Sequence, residues 1–207
     1  MVWILIYVLL GIVTLLLLFL LNFYRDPERK IPEGNNIVSP AEGRIIKILK
    51  ISSNKKNNKL KIKKGIIGKI ETLTRDVAKD CYLISIFMSP FDVHINRAPI
   101  WGKIKKIKYE KGRFFNANNF EKSLKNEKNE IIINNKKIGN IKVIQIAGFL
   151  ARKIKCFVRE NQKINKGQKI GAIVLGSQVS LIIPIKADLS IKVGKKVKSG
   201  TSIIATY

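Results

Sequence analysis

From Val2 to Phe23 the chain carries no charged residue, and only Thr14 and Asn22 are strongly polar. Roughly 20 apolar residues in a helix are enough to cross a bilayer core. A cleavable secretory leader has a shorter apolar part, a basic start and a small-residue cleavage site. Here no basic residue precedes Arg25, and the run ends Leu20-Leu21-Asn22-Phe23-Tyr24. Segment 1–24 therefore reads as a retained transmembrane anchor helix. Arg25, Arg29 and Lys30 follow it directly. Positive charge collects on the cytoplasmic side of such anchors, which puts residues 25–207 on the cytoplasmic face of the cell membrane.

Lys plus Arg number 40 and Asp plus Glu 14, a formal net charge of +26. An excess of that size favours anionic partners, either nucleic acid or anionic lipid. Part of it reflects the general Lys, Ile and Asn richness of the chain. With an anchor in place the lysines face headgroups, and each contributes about 1 kcal/mol near an anionic surface. The membrane surface is thus the better account of the charge. No helix-turn-helix, zinc-finger or aromatic-rich RNA-binding signature is present, so nucleic acid is not expected as a partner. Cys81, Cys156 and the single histidine His94 are too few and too scattered for zinc of the Cys/His type, and no metal is expected. The two cysteines read as buried free thiols.

Beyond Pro32-Glu33-Gly34 the pattern changes. Ile37-Val38, Arg44–Ile51 and Lys59–Ile70 alternate apolar and charged residues, as half-buried strands do. Ser52–Asn58 reads as a hairpin loop, Cys81–Met88 as a buried central strand, and Ile100–Tyr109 as a further alternating strand. Lys111–Asn129 is polar and reads as a long loop with room for a short helix. Ile131–Asn134, Lys136–Ile146 and Lys153–Val158 return to strand character. No segment after residue 30 has the pattern of a long amphipathic helix. Ile164–Gly171 and Ile191–Lys198 form a faint repeat, each with a glycine turn between short strands, as in barrel-sandwich folds of the biotinyl/lipoyl type. The expected fold is all-β or β-dominated, a barrel-sandwich-like single domain after one transmembrane helix.

One dipeptide carries possible chemistry. In Leu175-Gly176-Ser177 a hydroxyl follows a glycine, and such a hydroxyl can attack the preceding carbonyl; taken alone, most Gly-Ser pairs are turns. Four other segments accompany it: Phe23-Tyr24-Arg25-Asp26-Pro27-Glu28-Arg29, Val38-Ser39-Pro40-Ala41-Glu42-Gly43, Phe87–Pro99 (Phe-Met-Ser-Pro-Phe-Asp-Val-His-Ile-Asn-Arg-Ala-Pro) and Gly148-Phe149-Leu150-Ala151-Arg152-Lys153-Ile154. Together, and in this order, they resemble the short form of the pyruvoyl-dependent phosphatidylserine decarboxylase proenzymes, including members that act on archaetidylserine. The resemblance runs from about residue 19 to residue 184.

It implies a self-processing zymogen. Ser177 attacks the Gly176 carbonyl and gives an ester; elimination and hydrolysis leave a pyruvoyl group at the new N-terminus. Residues 25–207 would be the decarboxylase domain, cut into a β chain, 1–176, and an α chain, 177–207, that stay associated. The pyruvoyl group would form a Schiff base with the amine of a serine phospholipid, phosphatidylserine or archaetidylserine, and yield the ethanolamine lipid and CO2 without metal or pyridoxal phosphate. Glycine at 176 suits a bond that must be approached closely. His94 is the implied base and acid, since imidazole titrates near neutral pH. Glu42 stands where the family usually has Asp, one methylene longer, and is the candidate to orient His94. Arg97 fills the second place of a His-x-x-His pattern of longer bacterial forms, and its fork suits a substrate phosphate or carboxylate. A weaker pattern covers Asn116, Ala117, Lys122, Ser123, Asn126 and Glu127, read here as a solvated loop; Asp92 is expected to fix local backbone geometry. The other readings are a non-enzymatic, lipoyl-like adaptor on an anchor helix and a membrane-tethered nucleic-acid binder. The second predicts steeply salt-dependent binding. A homo-oligomer is compatible with all three.

Overall fold

The structure is a computed structural model that describes residues 1–52, 64–148, 153–174 and 177–207. Helix α1 (Val2–Phe23) is long and apolar enough to cross a membrane. Its side chains are exposed along its length except Phe19, partly covered, and Phe23, which is buried.

Strands dominate the rest. They are β1 (Asn36–Val38), β2 (Gly43–Ile51), β3 (Cys81–Met88), β4 (Ile95–Arg97), β5 (Gly102–Glu110), β6 (Lys128–Asn135) and β7 (Gly139–Ile146). They continue with β8 (Ile154–Cys156), β9 (Lys163–Ile164), β10 (Lys169–Ile173), β11 (Ser177–Pro184), β12 (Asp188–Leu189), β13 (Lys196–Val197) and β14 (Ile203–Thr206). A curled eight-stranded sheet, ordered β13-β2-β3-β11-β7-β6-β5-β9, carries two small sheets, β1-β14-β12 and β4-β10-β8. Every named pairing is antiparallel, so side chains alternate between the two faces of each ladder. The inner face buries Ile45, Ile86, Met88, Ile131, Val143, Val179, Leu181 and Ile183. The outer face buries Leu49, Ile51, Cys81, Leu83, Ile144 and Ile182. Because both faces of the middle strands are covered, Cys81–Met88 reads as a dense apolar run, and Ser177–Pro184 is buried throughout although Ser177, Gln178 and Ser180 are polar.

Gly43 opens β2 with φ +149°, and a Cβ there would collide with the Phe87 carbonyl of β3. Only glycine lets the two backbones approach so closely at the point where β2 enters the sheet. The faint repeat is a pair of glycine turns, Gly167 at φ +81° before β10 and Gly194 at φ +90° before β13.

Two readings of the pattern are corrected. Lys59–Ile70 is not a strand throughout: α2 (Lys64–Thr74) begins within it. Past Gly65 the apolar residues fall at Ile66, Ile67, Ile70, Leu73 and Val77, a spacing of three and four that replaces the alternation. Ile70 and Leu73 are buried on the outer face with Val77 against them, worth about 1.5–3 kcal/mol per side chain. The hairpin expected at Ser52–Asn58 and the alternation of Lys59–Lys63 lie outside the described residues, Ser52 apart. In the polar stretch Lys111–Asn129, a single-turn helix α3 (Phe120–Ser123) forms, and β6 starts at Lys128, earlier than expected.

Candidate active site

Ser177 is the first residue of β11, the strand held between β3 and β7, and all eight residues of that strand are buried. It stands opposite Met88, and its hydroxyl donates to Met88 Sδ at 3.5 Å. A thioether is a weak acceptor, so this hydroxyl is lightly held. Asn96 Nδ2 approaches the same sulfur at 3.7 Å. Asn96 Oδ1 accepts from Gln145 Nε2 at 2.8 Å, and Gln145 Oε1 from Asn129 Nδ2 at 2.9 Å. A buried row of amides therefore runs from β4 across β7 to β6 beside the serine. On the opposite face Gln178 accepts from Ser123 of α3 at 3.0 Å and donates to Ser180 at 3.1 Å. Gly176, the expected cleavage partner of Ser177, lies outside the described residues, as do Phe149–Arg152.

His94 arrives on a loop that Asp92 shapes. The Asp92 carboxylate accepts from Ser89 N–H at 2.7 Å, and its own N–H donates to the Ser89 carbonyl at 3.0 Å, so Asp92 does fix the local backbone. The His94 carbonyl accepts from Ile173 N–H at 3.3 Å. This joins it to the end of β10, four residues before Ser177. The residue is 4% exposed, and among the described residues neither ring nitrogen has a partner in full hydrogen-bond geometry, the Asp92 backbone offering only a weaker attraction. Burial pulls its pKa down from 6.5 to about 4; Asp92 opposes the shift and Arg25 adds to it. The ring is thus neutral at physiological pH, with a lone pair free to take a proton. It lies against the Phe23 ring, centroids 4.2 Å apart.

Glu42 lies one residue away from His94 in its contacts. It pairs with Arg29, sits 3.8 Å from Arg25 and accepts from Val93 N–H at 3.4 Å. The structure does not join Glu42, His94 and Ser177 in a hydrogen-bonded chain. Arg97 is not a free surface residue: it donates to the Gly167 carbonyl at 3.1 Å and to Asp26 at 2.7 Å, and Asp26 also pairs with Lys169. The segment Arg25–Arg29 that follows α1 is therefore strapped to the elements that carry His94, Glu42 and Arg97.

The family model of phosphatidylserine decarboxylase matches residues 16–205 of the chain. A putative archaetidylserine decarboxylase proenzyme of Methanocaldococcus jannaschii is 45% identical over 195 residues, 92% of this chain and 90% of that one. The chain belongs to the phosphatidylserine decarboxylase family. Two bacterial phosphatidylserine decarboxylase proenzymes are also similar. That of Syntrophus aciditrophicus is 38% identical, covering 92% of this chain and 80% of its own. That of Pelodictyon phaeoclathratiforme is 37% identical, covering 93% and 81%.

For a phosphatidylserine decarboxylase the fit of a pyruvoyl group at residue 177 can be judged from the serine's surroundings. The hydroxyl's partner is a sulfur, so losing that hydroxyl as the side chain becomes the methyl of a pyruvoyl group strands no strong acceptor. Asn96, Gln145 and Asn129, whose amides extend from the Met88 sulfur that Ser177 meets, were not singled out from sequence. Their only signal is polar residues inside otherwise apolar strands, which becomes visible once register is known. The weaker pattern is corrected: Ala117, Ser123, Asn126 and Glu127 are buried, not solvated. Asn126 alone bonds both backbone groups of Phe115 and the Ala147 carbonyl, which roots that loop in the sheet beside β11. The reading of two buried thiols holds only for Cys81, whose pKa burial raises to about 11; Cys156, on the edge strand β8, is exposed.

Proposed function

We propose that this chain is a self-processing decarboxylase that converts a serine phospholipid, archaetidylserine or phosphatidylserine, into the ethanolamine lipid and CO2. One observation carries the reading. The single histidine is buried, neutral and without a side-chain hydrogen-bond partner among the described residues, and it is tied to the strand that leads to Ser177.

In the first reaction Ser177 Oγ forms a bond to the Gly176 carbonyl carbon while the Gly176–Ser177 C–N bond breaks, giving an ester. His94 takes the hydroxyl proton and returns one to the departing nitrogen. Removal of the Ser177 α-proton then expels the residue 1–176 carboxylate and leaves a dehydroalanine, whose imine tautomer takes up water and releases ammonia to give the ketone. The pyruvoyl group supplies a conjugated ketone that condenses with the substrate amine and accepts the electron pair released with CO2. His94 then holds the proton to be delivered to the substrate carbon. Arg97 and its neighbour Lys169 offer cationic groups to the headgroup phosphate. The dry surroundings of Ser177 and His94 strengthen these charge interactions and keep water from competing. Helix α1 and the basic surface keep the site at an anionic membrane, on its cytoplasmic side by the charge rule.

The test is processing. Purified full-length chain should run as two pieces divided at 176/177, the shorter blocked by a carbonyl that reacts with hydroxylamine. Ser177→Ala should run whole, and Ser177→Cys should be cut slowly. A wild-type chain that stays whole and lacks the carbonyl would overturn the proposal in favour of an adaptor module.

A further inference from the structure

We infer that Phe23 is a positioning residue for His94, so that the membrane helix forms one wall of the active site in addition to tethering it. The inference rests on the decarboxylase reading above and deepens it. Of the 22 residues of α1, Phe23 is the one that is buried, at 3% exposure. Its ring is spent on the chain's single histidine, 4.2 Å away at 35°. Tyr24 packs edge-on against the other side of Phe23 at 5.1 Å, and Phe19 lies 6.0 Å away one helical turn earlier. Phe19 also meets Phe91 edge-on at 6.3 Å. The Arg25 guanidinium clamps this stack, donating to the carbonyls of Asn22 and Phe91 at 2.7 Å each. The helix end and the loop that carries His94 thus form one unit.

Packing matters unusually here. A working histidine is normally aimed by a hydrogen bond to one of its nitrogens. Among the described residues His94 has no partner in full hydrogen-bond geometry, only a weaker attraction from the Asp92 backbone, so ring contact carries much of its orientation, and an aromatic pair supplies about 0.5–1.5 kcal/mol beyond burial alone. The same contact closes the imidazole off from water. The charged groups around it are Asp92 on its own loop, Arg25 beyond the helix, and Glu42 in the β1–β2 turn, which bonds the neighbouring Val93 and pairs with Arg29. Phe23 also ends the apolar run, the depth at which hydrocarbon gives way to headgroups. A serine headgroup at that depth meets His94 with no need to leave the membrane.

The test uses the full chain in vesicles containing anionic phospholipid. Phe23→Leu removes the ring, Phe23→Tyr keeps it, and Leu21→Ala changes a lipid-exposed neighbour. With one histidine, imidazole NMR gives one unambiguous signal, which is titrated in the uncut Ser177→Ala background. Phe23→Leu should raise the titration midpoint by about one unit or more, toward that of a solvated imidazole. It should also slow self-cleavage of the Ser177 chain about tenfold more in mild acid than at alkaline pH. Phe23→Tyr should restore both, and Leu21→Ala should move neither. An unchanged midpoint in Phe23→Leu, or a slowing equal at every pH, overturns the positioning role. If wild type is never cut while the midpoint still shifts, the decarboxylase reading fails and the Phe23–His94 contact stands. If wild type is cut and Phe23→Leu matches it throughout, only this inference fails.

Discussion

Lys142 offers a stability prediction that does not depend on the chemistry. It lies on β7 with a side chain that is 0% exposed, its ammonium 3.0 Å from Glu130 on β6 and 3.0 Å from Asp76 beyond α2. Glu130 is itself buried, whereas Asp76 is half exposed. At that distance the Lys142–Glu130 attraction is about 5 kcal/mol for an effective dielectric near 20. The loss of water around both ions offsets most of it. Lys142→Met leaves the Glu130 carboxylate buried without its cation, which should cost about 3–5 kcal/mol. Asp76→Asn should cost less than about 1 kcal/mol, because water already screens that carboxylate. In Lys142→Met/Glu130→Met both charges leave together, and stability should return to within about 1 kcal/mol of the parent. The assay is urea unfolding in mild detergent followed by Trp101 fluorescence, in the uncut Ser177→Ala chain so that processing does not intrude. With Glu130→Met as the other single variant, the double-mutant cycle should give a coupling of at least about 2 kcal/mol. If the single effects simply add, or Lys142→Met costs less than about 1 kcal/mol, the reasoning is wrong.

Other outcomes follow from the site. His94 has a folded-state pKa of about 4 against 6.5, so the folded chain binds fewer protons than the unfolded one between those values. Its contribution to stability is therefore present above pH 6.5 and is lost as the pH falls toward 4. Self-cleavage, measured by gel against pH, should accordingly hold in mild acid and fall only near the low value; a fall centred at the ordinary histidine pKa would contradict this. Asp26→Asn weakens the strap on Arg97 and Lys169 and should raise KM for the lipid several-fold with little change in kcat, read from initial rates on vesicles. Glu42→Gln loses the pairing with Arg29 and should slow processing more than Glu42→Asp does, as a time course of cleavage after synthesis will show. Asn126→Ala gives up three hydrogen bonds, one buried and two partly buried, and should destabilise by about 2–4 kcal/mol in the same urea assay.

The strands of the large sheet were legible because their register is written in the alternation of Arg44–Ile51, Ile100–Tyr109 and Lys136–Ile146. Helix α1 was legible from its lack of charge. Helix α2 was misread because the alternation of Lys59–Lys63 runs straight into a three-and-four spacing, and a short window cannot tell where one period ends. Motif residues marked Ser177 and His94, since their chemistry is local. Their neighbours were hidden for a different reason. Phe23 meets His94 across 71 positions of sequence, and Asn96 meets Gln145 across 49. Nothing in the local pattern of either residue announces such a meeting. The orienting role expected of Glu42 assumed a direct bond to His94; Arg25 and Arg29, just after α1, hold that carboxylate instead.

The position of β11 bears on what a cut at its head would do to the molecule. Strands at the rim of a sheet, once severed, expose unpaired backbone and invite other chains to dock. Ser177–Pro184 instead has a neighbour on each side, and severing the chain before it would bare no rim. The piece 177–207 is also sewn in twice more, through β13 on β2 and through β14 between β1 and β12. Three separate seams would have to open before the pieces could part. The pair would therefore melt as one body, and because its two pieces part only on unfolding, at a temperature that falls on dilution.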